Sequence, residues 1–281
     1  MTTLRLPEPT WFVGCGHMGG AILDGWRNGG LDLSPVTVIR PSGKAVEGTR
    51  VVTSLRDSGS PPNIAILAFK PQKLDEIAPE LRQYLSARTV VVSLLAGVET
   101  SSLRERFPGV GAIVRAAPNL PVAVRRGVTG LYSPDADGPT QTQLNNLFSA
   151  LGYTIWTADE QKLAALGSVA GAGPAYVARF IAALAGAGVK RGLTREIAAT
   201  LALETVFGTA WLAASTGESM ESVARRVASP RGTTEAGLAV LDHDGVLNEL
   251  MELTIDAAAK RGAELAEEAR GASLAESVRL H

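Results

Sequence analysis

The sequence predicts an α/β fold: a doubly wound, mostly parallel sheet followed by an all-α C-terminal domain. Three observations carry that prediction. Short unbroken apolar runs alternate with helical stretches through the first half. A glycine-rich segment joins the first such run to the first helix. Beyond about residue 159 the β-branched runs stop, and long Ala- and Leu-rich segments take their place.

The elements follow in order. Thr10 to Gly14 is predicted as a strand, Met18 to Arg27 as a helix, and Val36 to Arg40 and Val51 to Thr53 as the next two strands. Ile64 to Phe69 and Val90 to Leu94 are continuous apolar runs of strand length, the pattern of strands covered on both faces in a parallel sheet. Gly111 to Arg115 is a further candidate. Strands alternating with helices argue for a doubly wound domain. Downstream, Val177, Phe180, Ile181, Leu184 and Gly188 recur at helical spacing, as do Leu203, Phe207, Ala210, Trp211 and Ala214. Arg179 and Glu204 are nearly the only charges in those two stretches. Helices apolar almost all round need burial, and a domain of ~120 residues has little interior for two of them. A partner subunit is the simpler expectation, and a self-contained helical core is the alternative. Thr233 to Asp242 reads as a short helix, and Val246 to Arg270 as a last amphipathic one. The expected division is residues 1–159 for the sheet domain and 160–281 for a helical dimerisation and substrate domain.

Composition narrows the function. At 46% apolar and 20% charged residues the 281-residue chain is ordinary globular material. A net charge of -1 with no Lys/Arg stripe argues against a nucleic-acid partner. A single cysteine, Cys15, excludes an internal disulfide and fits a reducing compartment. The polar start lacks a secretory h-region, and Arg179 and several glycines interrupt the most apolar segment. The expectation is a cytoplasmic protein with no membrane partner. The three histidines, His17, His243 and His281, have no ligand spacing, so no metal is expected.

Gly14-Cys15-Gly16-His17-Met18-Gly19 fits G-x-G-x-x-G, directly after a predicted strand and at the opening of a helix. In a Rossmann-like site Gly14 allows the tight turn, Gly16 lets a pyrophosphate approach the backbone, and Gly19 lets helix and strand pack closely. Free N–H groups and the helix dipole favour the anion. His17 and Met18 then stand beside the phosphates, and Cys15 is a small filler. The end of the second strand discriminates between cofactors. An NAD site places Asp or Glu there for the ribose hydroxyls. This chain has Arg40-Pro41-Ser42-Gly43-Lys44, with Asp32 before the strand and Glu47 well beyond it. Arg40 and Ser42 suit a 2′-phosphate, so NADP(H) is expected and NAD(H) is second. A solvated basic turn is the bland alternative.

Val227-Ala228-Ser229-Pro230-Arg231-Gly232-Thr233-Thr234 is the other chemical segment. Ser229, Thr233 and Thr234 supply hydroxyls, Gly232 exposes its N–H, and Pro230 fixes a turn into a helix. Hydroxyls and free amides at a helix start make a carboxylate pocket without formal charge. A plain N-cap after a surface turn is the alternative.

Taken together with Phe69-Lys70-Pro71, Ser93 to Gly97, Arg115 to Pro121 and Ala170 to Tyr176, this loop resembles the pyrroline-5-carboxylate reductases, whose corresponding loop is V-x-S-P-G-G-T-T. The likeness covers most of residues 10 to 270 in the same order. It implies NADP(H)-dependent reduction of a small cyclic imine to proline by a homodimer or larger homo-oligomer. It also implies that residues 229–234 bind the substrate carboxylate, with Thr234 on the ring nitrogen as the catalytic hydroxyl. Ala68, Lys70, Pro71, Ala96, Gly97, Asn119 and Glu160 are then expected along the cofactor, Glu160 at the domain junction. For Glu160 a helix N-terminal carboxylate is an equal reading. The chain departs from the family where S-G-S-G-P-A-Y becomes Ala170-Gly171-Ala172-Gly173-Pro174-Ala175-Tyr176, where Ala117 precedes Pro118, and where Arg231 replaces a glycine. A related imine reductase and a 3-hydroxyacid dehydrogenase are the rival enzymes. The latter needs a lysine soon after a Gly-rich helix start, whereas the first here is Lys190. A regulator that binds nucleotide without turnover is the non-enzyme alternative.

Overall fold

The computed structural model describes residues 4–277. Eight strands form one sheet: β1 (Thr10–Val13), β2 (Val36–Ile39), β3 (Arg50–Val52), β4 (Ile64–Leu67), β5 (Val90–Ser93), β6 (Ala112–Pro118), β7 (Gly127–Tyr132) and β8 (Gly152–Trp156). Their order is β3-β2-β1-β4-β5-β6-β7-β8. The pairings from β3 through β6 are parallel, β7 runs antiparallel to β6, and β8 is parallel to β7. The chain leaves β1 for β2 and β3 on one side and returns through β4 on the other. A crevice therefore opens at the carboxyl ends of β1 and β4, the place where open α/β sheets hold ligands.

Alternation along β1 builds the two faces. Phe12 points into a cluster with Ile22 and Trp26 of α1 (His17–Asn28), while Trp11 points into the opposite one with Leu67 and Leu81. The second layer comes from α2 (Leu74–Leu81) and α3 (Thr100–Arg106). The first is completed by α4 (Gly138–Ser149), whose Leu144 and Phe148 are buried. Trp26 Nε1 donates to the Leu147 carbonyl at 2.8 Å, pinning α1 to α4. All four residues of β1, β2 and β4 are buried, Thr10 and Thr37 included, which explains why these strands are apolar but for those two hydroxyls.

The sheet extends beyond Arg115, where the sequence reading ended it. The turn after β7 is organised by Asp135, which accepts from Ile113 N–H at 3.1 Å and Ser133 Oγ at 2.9 Å and pairs with Arg104 of α3. Burial pushes the Asp135 carboxyl up, but the Ile113, Arg104 and Ser133 bonds together hold it below the usual range. A depressed folded pKa stabilises above the unfolded value and is lost as the pH falls through the folded one. Asp135→Asn should therefore lower stability at neutral pH, and the gap from the parent should begin to narrow below about pH 4. Chemical denaturation at pH 7 and pH 3 checks this, and a gap no smaller at pH 3 than at pH 7 would contradict it.

A helical run begins with α5 (Glu160–Leu166), passes through a π-type turn at Gly167–Gly171, and continues as α6 (Gly173–Lys190). It is followed by α7 (Arg195–Thr216), α8 (Met220–Val227), α9 (Thr233–Leu241) and α10 (Val246–Ser277). By its contacts the chain forms two bodies. One runs through Ala172 and takes in the chain again from Ala258, and the other is Gly173–Ala257.

Within the second body α6 and α7 form a hairpin whose seam is made of small residues. A Cβ on Gly188 would stand 3.4 Å from Ala198 Cβ, and Ala198 and Ala202 are the buried positions there. The bulky residues point outward: Phe180 is 51% exposed, Trp211 54% and Phe207 64%. The continuous helix Glu160–Lys190 and Arg195–Thr216 are each long and apolar enough to cross a membrane.

Candidate active site

The parallel register sets Ile39, Val13, Leu67, Ser93 and Arg115 side by side. The residues just beyond them line the carboxyl edge, and most of the expected cofactor positions fall there. Gly14 adopts a left-handed φ of +82°, and a Cβ there would lie 2.8 Å from the Ala68 carbonyl oxygen. One on Gly19 would meet Ala68 Cβ at 3.1 Å. Ala68 is thus the small residue that lets the loop sit on β4. Gly16 is different: a Cβ there would meet nothing within 4 Å. It is also the N-cap of α1, with no side chain closing the helix end. Open space in front of uncapped amides is what a pyrophosphate needs, so these residues fit a dinucleotide.

His17 is exposed in the first turn of α1, while Met18 packs partly into the core. Cys15 is half-buried, and burial pushes its thiol up, opposed by Arg40 through space and reinforced by Asp24. A raised pKa keeps it protonated at neutral pH, which suits a filler rather than a nucleophile.

Arg40 N–H donates to Val52 C=O at 2.9 Å, and Gly43 N–H returns to Arg40 C=O at 3.1 Å, forming a turn over Pro41 and Ser42. Ser42 is exposed, and its Oγ accepts from Lys44 N–H at 3.4 Å. The nearby acids are committed elsewhere. Asp32 bonds Ser34 ahead of β2, and Glu47 pairs with Arg27 at 2.9 Å.

Other strand ends carry the remaining positions. Lys70 is exposed before a short turn opened by Pro71. Ala96 is exposed, and Gly97 has a φ of +76° with its α-carbon face against Leu265 and Ala266 of α10. Two expected cofactor residues have their polar groups engaged within the protein. Asn119 is buried, its Nδ2 donating to Ala170 C=O at 3.0 Å and its Oδ1 accepting from Val128 N–H at 2.8 Å. Glu160 Oε1 accepts from Thr100 N–H at 2.8 Å and from Arg115 at 2.9 Å. Both act as clasps: Asn119 holds the Ala170 segment to β6 and β7, and Glu160 ties β6 to the segment after Gly97. Sequence reasoning missed Arg115 and Thr100 as partners of Glu160, because neither spacing nor composition announces a tertiary bond.

In the helical body the hydroxyl segment joins α8 to α9. Gly232 is the N-cap of α9 without a side-chain cap, but its N–H is not exposed as expected: it closes a turn on Ser229 C=O at 3.0 Å, and the amides left open are those that follow it. Ser229 Oγ folds over Gly232 so closely that a Cβ there would collide with it. Thr233 is exposed and Thr234 half-buried at the start of the helix.

A β3-β2-β1-β4-β5-β6 order with a glycine loop opening α1 defines a nicotinamide-dinucleotide-binding protein of the Rossmann type, here joined to a helical unit. Family models agree: residues 11–97 match NADP oxidoreductase coenzyme F420-dependent, and residues 160–265 match pyrroline-5-carboxylate reductase dimerisation. A pyrroline-5-carboxylate reductase of Pseudomonas aeruginosa is 34% identical over 92% of this chain and 96% of its own length. One from Synechocystis sp. is 39% identical over 77% of this chain and 80% of its own. The solved structure of a pyrroline-5-carboxylate reductase from Coxiella burnetii superposes with a TM-score of 0.84 at 30% identity, over 93% of this chain and 99% of that one. The chain belongs to the pyrroline-5-carboxylate reductase family.

Proposed function

We propose that the chain reduces the cyclic imine 1-pyrroline-5-carboxylate to L-proline with NADPH, as the last step of proline biosynthesis. The observation that carries this reading is the coexistence of an open glycine cradle with an uncharged hydroxyl loop, in a chain related along its length to proteins of that name. When bound, NADPH would supply the hydride that reduces the imine carbon, and the nitrogen would take its proton from solvent.

The protein's part is placement. Gly14 and Gly19 set the loop tightly on β4, the uncapped amides behind Gly16 hold the pyrophosphate beside His17 and Met18, and Arg40 and Ser42 hold a 2′-phosphate. Ala68, Lys70, Pro71, Ala96 and Gly97 border the rest of the dinucleotide. Asn119 and Glu160 keep that border in place through the clasps described above. Ser229, Thr233 and the uncapped amides of α9 that Gly232 leaves open bind the substrate carboxylate, and Thr234 orients the ring nitrogen. Well-oriented reactants can recover roughly 7–11 kcal/mol of barrier, which leaves little need for a strong acid.

Residues 1–159 serve as the dinucleotide half, and residues 160–281 as the dimerisation and substrate half. The outward Phe180, Phe207 and Trp211 are covered by a second copy of the chain, in a homodimer or a larger homo-oligomer. The single Cys15 suits a cytoplasmic enzyme.

The test follows NADPH oxidation with five- and six-membered cyclic imines. Turnover of the five-membered acid is expected; cofactor binding without consumption would leave a regulator instead. Thr234→Ala should cut kcat at least about tenfold, ~1.4 kcal/mol. Unchanged kinetics would remove Thr234 from the mechanism.

A further inference from the structure

We infer that Glu235 is a positioning residue that sets the hydroxyl loop, by bonding the amide of the one loop residue whose backbone is strained. The inference rests on the substrate role proposed for residues 229–234.

The bond from Gly232 N–H to Ser229 C=O closes a four-residue turn with Pro230 and Arg231 in its middle. Arg231 has a φ of +58°. Proline second and a positive φ third is the type II pattern, in which the third residue is usually glycine. A side chain there crowds the backbone and disfavours the conformation. The amide of that third residue is also left without a partner inside the turn. Here Glu235 Oε2 accepts the Arg231 N–H at 2.5 Å.

Glu235 occupies the third position of α9, from which an acid ordinarily reaches back to bond the N-cap amide. It reaches one residue further, to Arg231, while the first amides of α9 have no side-chain cap because the N-cap is Gly232. Those amides are the donors that an incoming carboxylate requires. Among the described residues the Arg231 guanidinium forms no ion pair, and its charge offsets that of the acid. The side-chain bond thus does for arginine what glycine's freedom does elsewhere: it keeps a left-handed residue in place while the helix end stays open.

The test is a double-mutant cycle on the full chain, with imine and NADPH varied separately. Glu235→Ala should raise the imine KM about fivefold, in line with one hydrogen bond of modest net strength, and leave the NADPH KM alone. Glu235→Gln, whose amide oxygen accepts the same bond, should stay within about twofold of the parent. In an Arg231→Gly background Glu235→Ala should shift the imine KM less than about twofold, because glycine takes the left-handed backbone unaided. An equal rise in both backgrounds, or no rise in either, would overturn the inference. Thr234→Ala separates the two ideas. If it is impaired while the 231/235 pair shows no coupling, only the positioning role fails. If it matches the parent, the substrate loop fails and takes the positioning role with it.

Discussion

A Gly14→Ala variant should lose both stability and cofactor affinity. Its φ of +82° disfavours any Cβ by about 1–2 kcal/mol. The added carbon would also stand 2.8 Å from the Ala68 carbonyl oxygen and 3.0 Å from Phe69 Cβ. Ala68 cannot retreat easily, since its N–H is bonded to Val13 C=O at 2.9 Å. Together these effects should cost about 2–4 kcal/mol of folding free energy. The NADPH Kd should rise at least about a hundredfold, ~2.7 kcal/mol. Gly16→Ala is the informative control. With φ -85° and no neighbour within 4 Å, the new methyl leaves the fold within about 0.5 kcal/mol of the parent. It does fill the space in front of the uncapped α1 amides, so NADPH affinity should fall at least about tenfold. Fluorescence titration and thermal melting read both variants. Normal NADPH binding by Gly16→Ala would remove the cradle from the proposal.

Arg40→Asp should reverse the cofactor preference. A bond from a guanidinium to a phosphate is worth about 1.5–3 kcal/mol, and replacing it with a carboxylate adds repulsion. kcat/KM with NADPH should therefore drop about a hundredfold or more. NADH should be used as well as before or better, because an acid at the end of β2 can accept the ribose hydroxyls. Asp32 and Glu47 leave that position to Arg40, as their bonds to Ser34 and Arg27 show. An equal loss with both cofactors would mean that Arg40 supports the loop without touching the 2′-phosphate.

The legible parts of the chain were those in which one local rule dominates. The buried runs of β1, β2, β4 and β5 could only be strands of a two-sided sheet, and the glycine loop carries its meaning in its spacing. What stayed hidden depends on contacts between distant residues. In β8, Tyr153 is 63% exposed and Ile155 38%, while Gly127 and Gly130 interrupt β7, so neither strand shows the apolar run that marks the others. Asn119 and Glu160 were singled out only through the family resemblance, and their partners, Ala170 C=O, Val128 N–H, Arg115 and Thr100, lie 9 to 60 positions away. The bond from Arg231 to Glu235 is local, and its one signal in the sequence is an acid three residues after a glycine at a helix start, half of a capping box without its hydroxyl. That pattern does not disclose which amide the acid selects.

The hairpin of α6 and α7 turns the usual arrangement of a bundle inside out. Alanine and glycine meet at the centre, and the phenylalanines and tryptophan that would ordinarily weld such a pair face away from it. Two helices joined in this way have almost no interior of their own to lose on melting. With a second copy as the cover, their survival becomes a question of mass action, and the enzyme's heat resistance would depend on how much of it is in the tube.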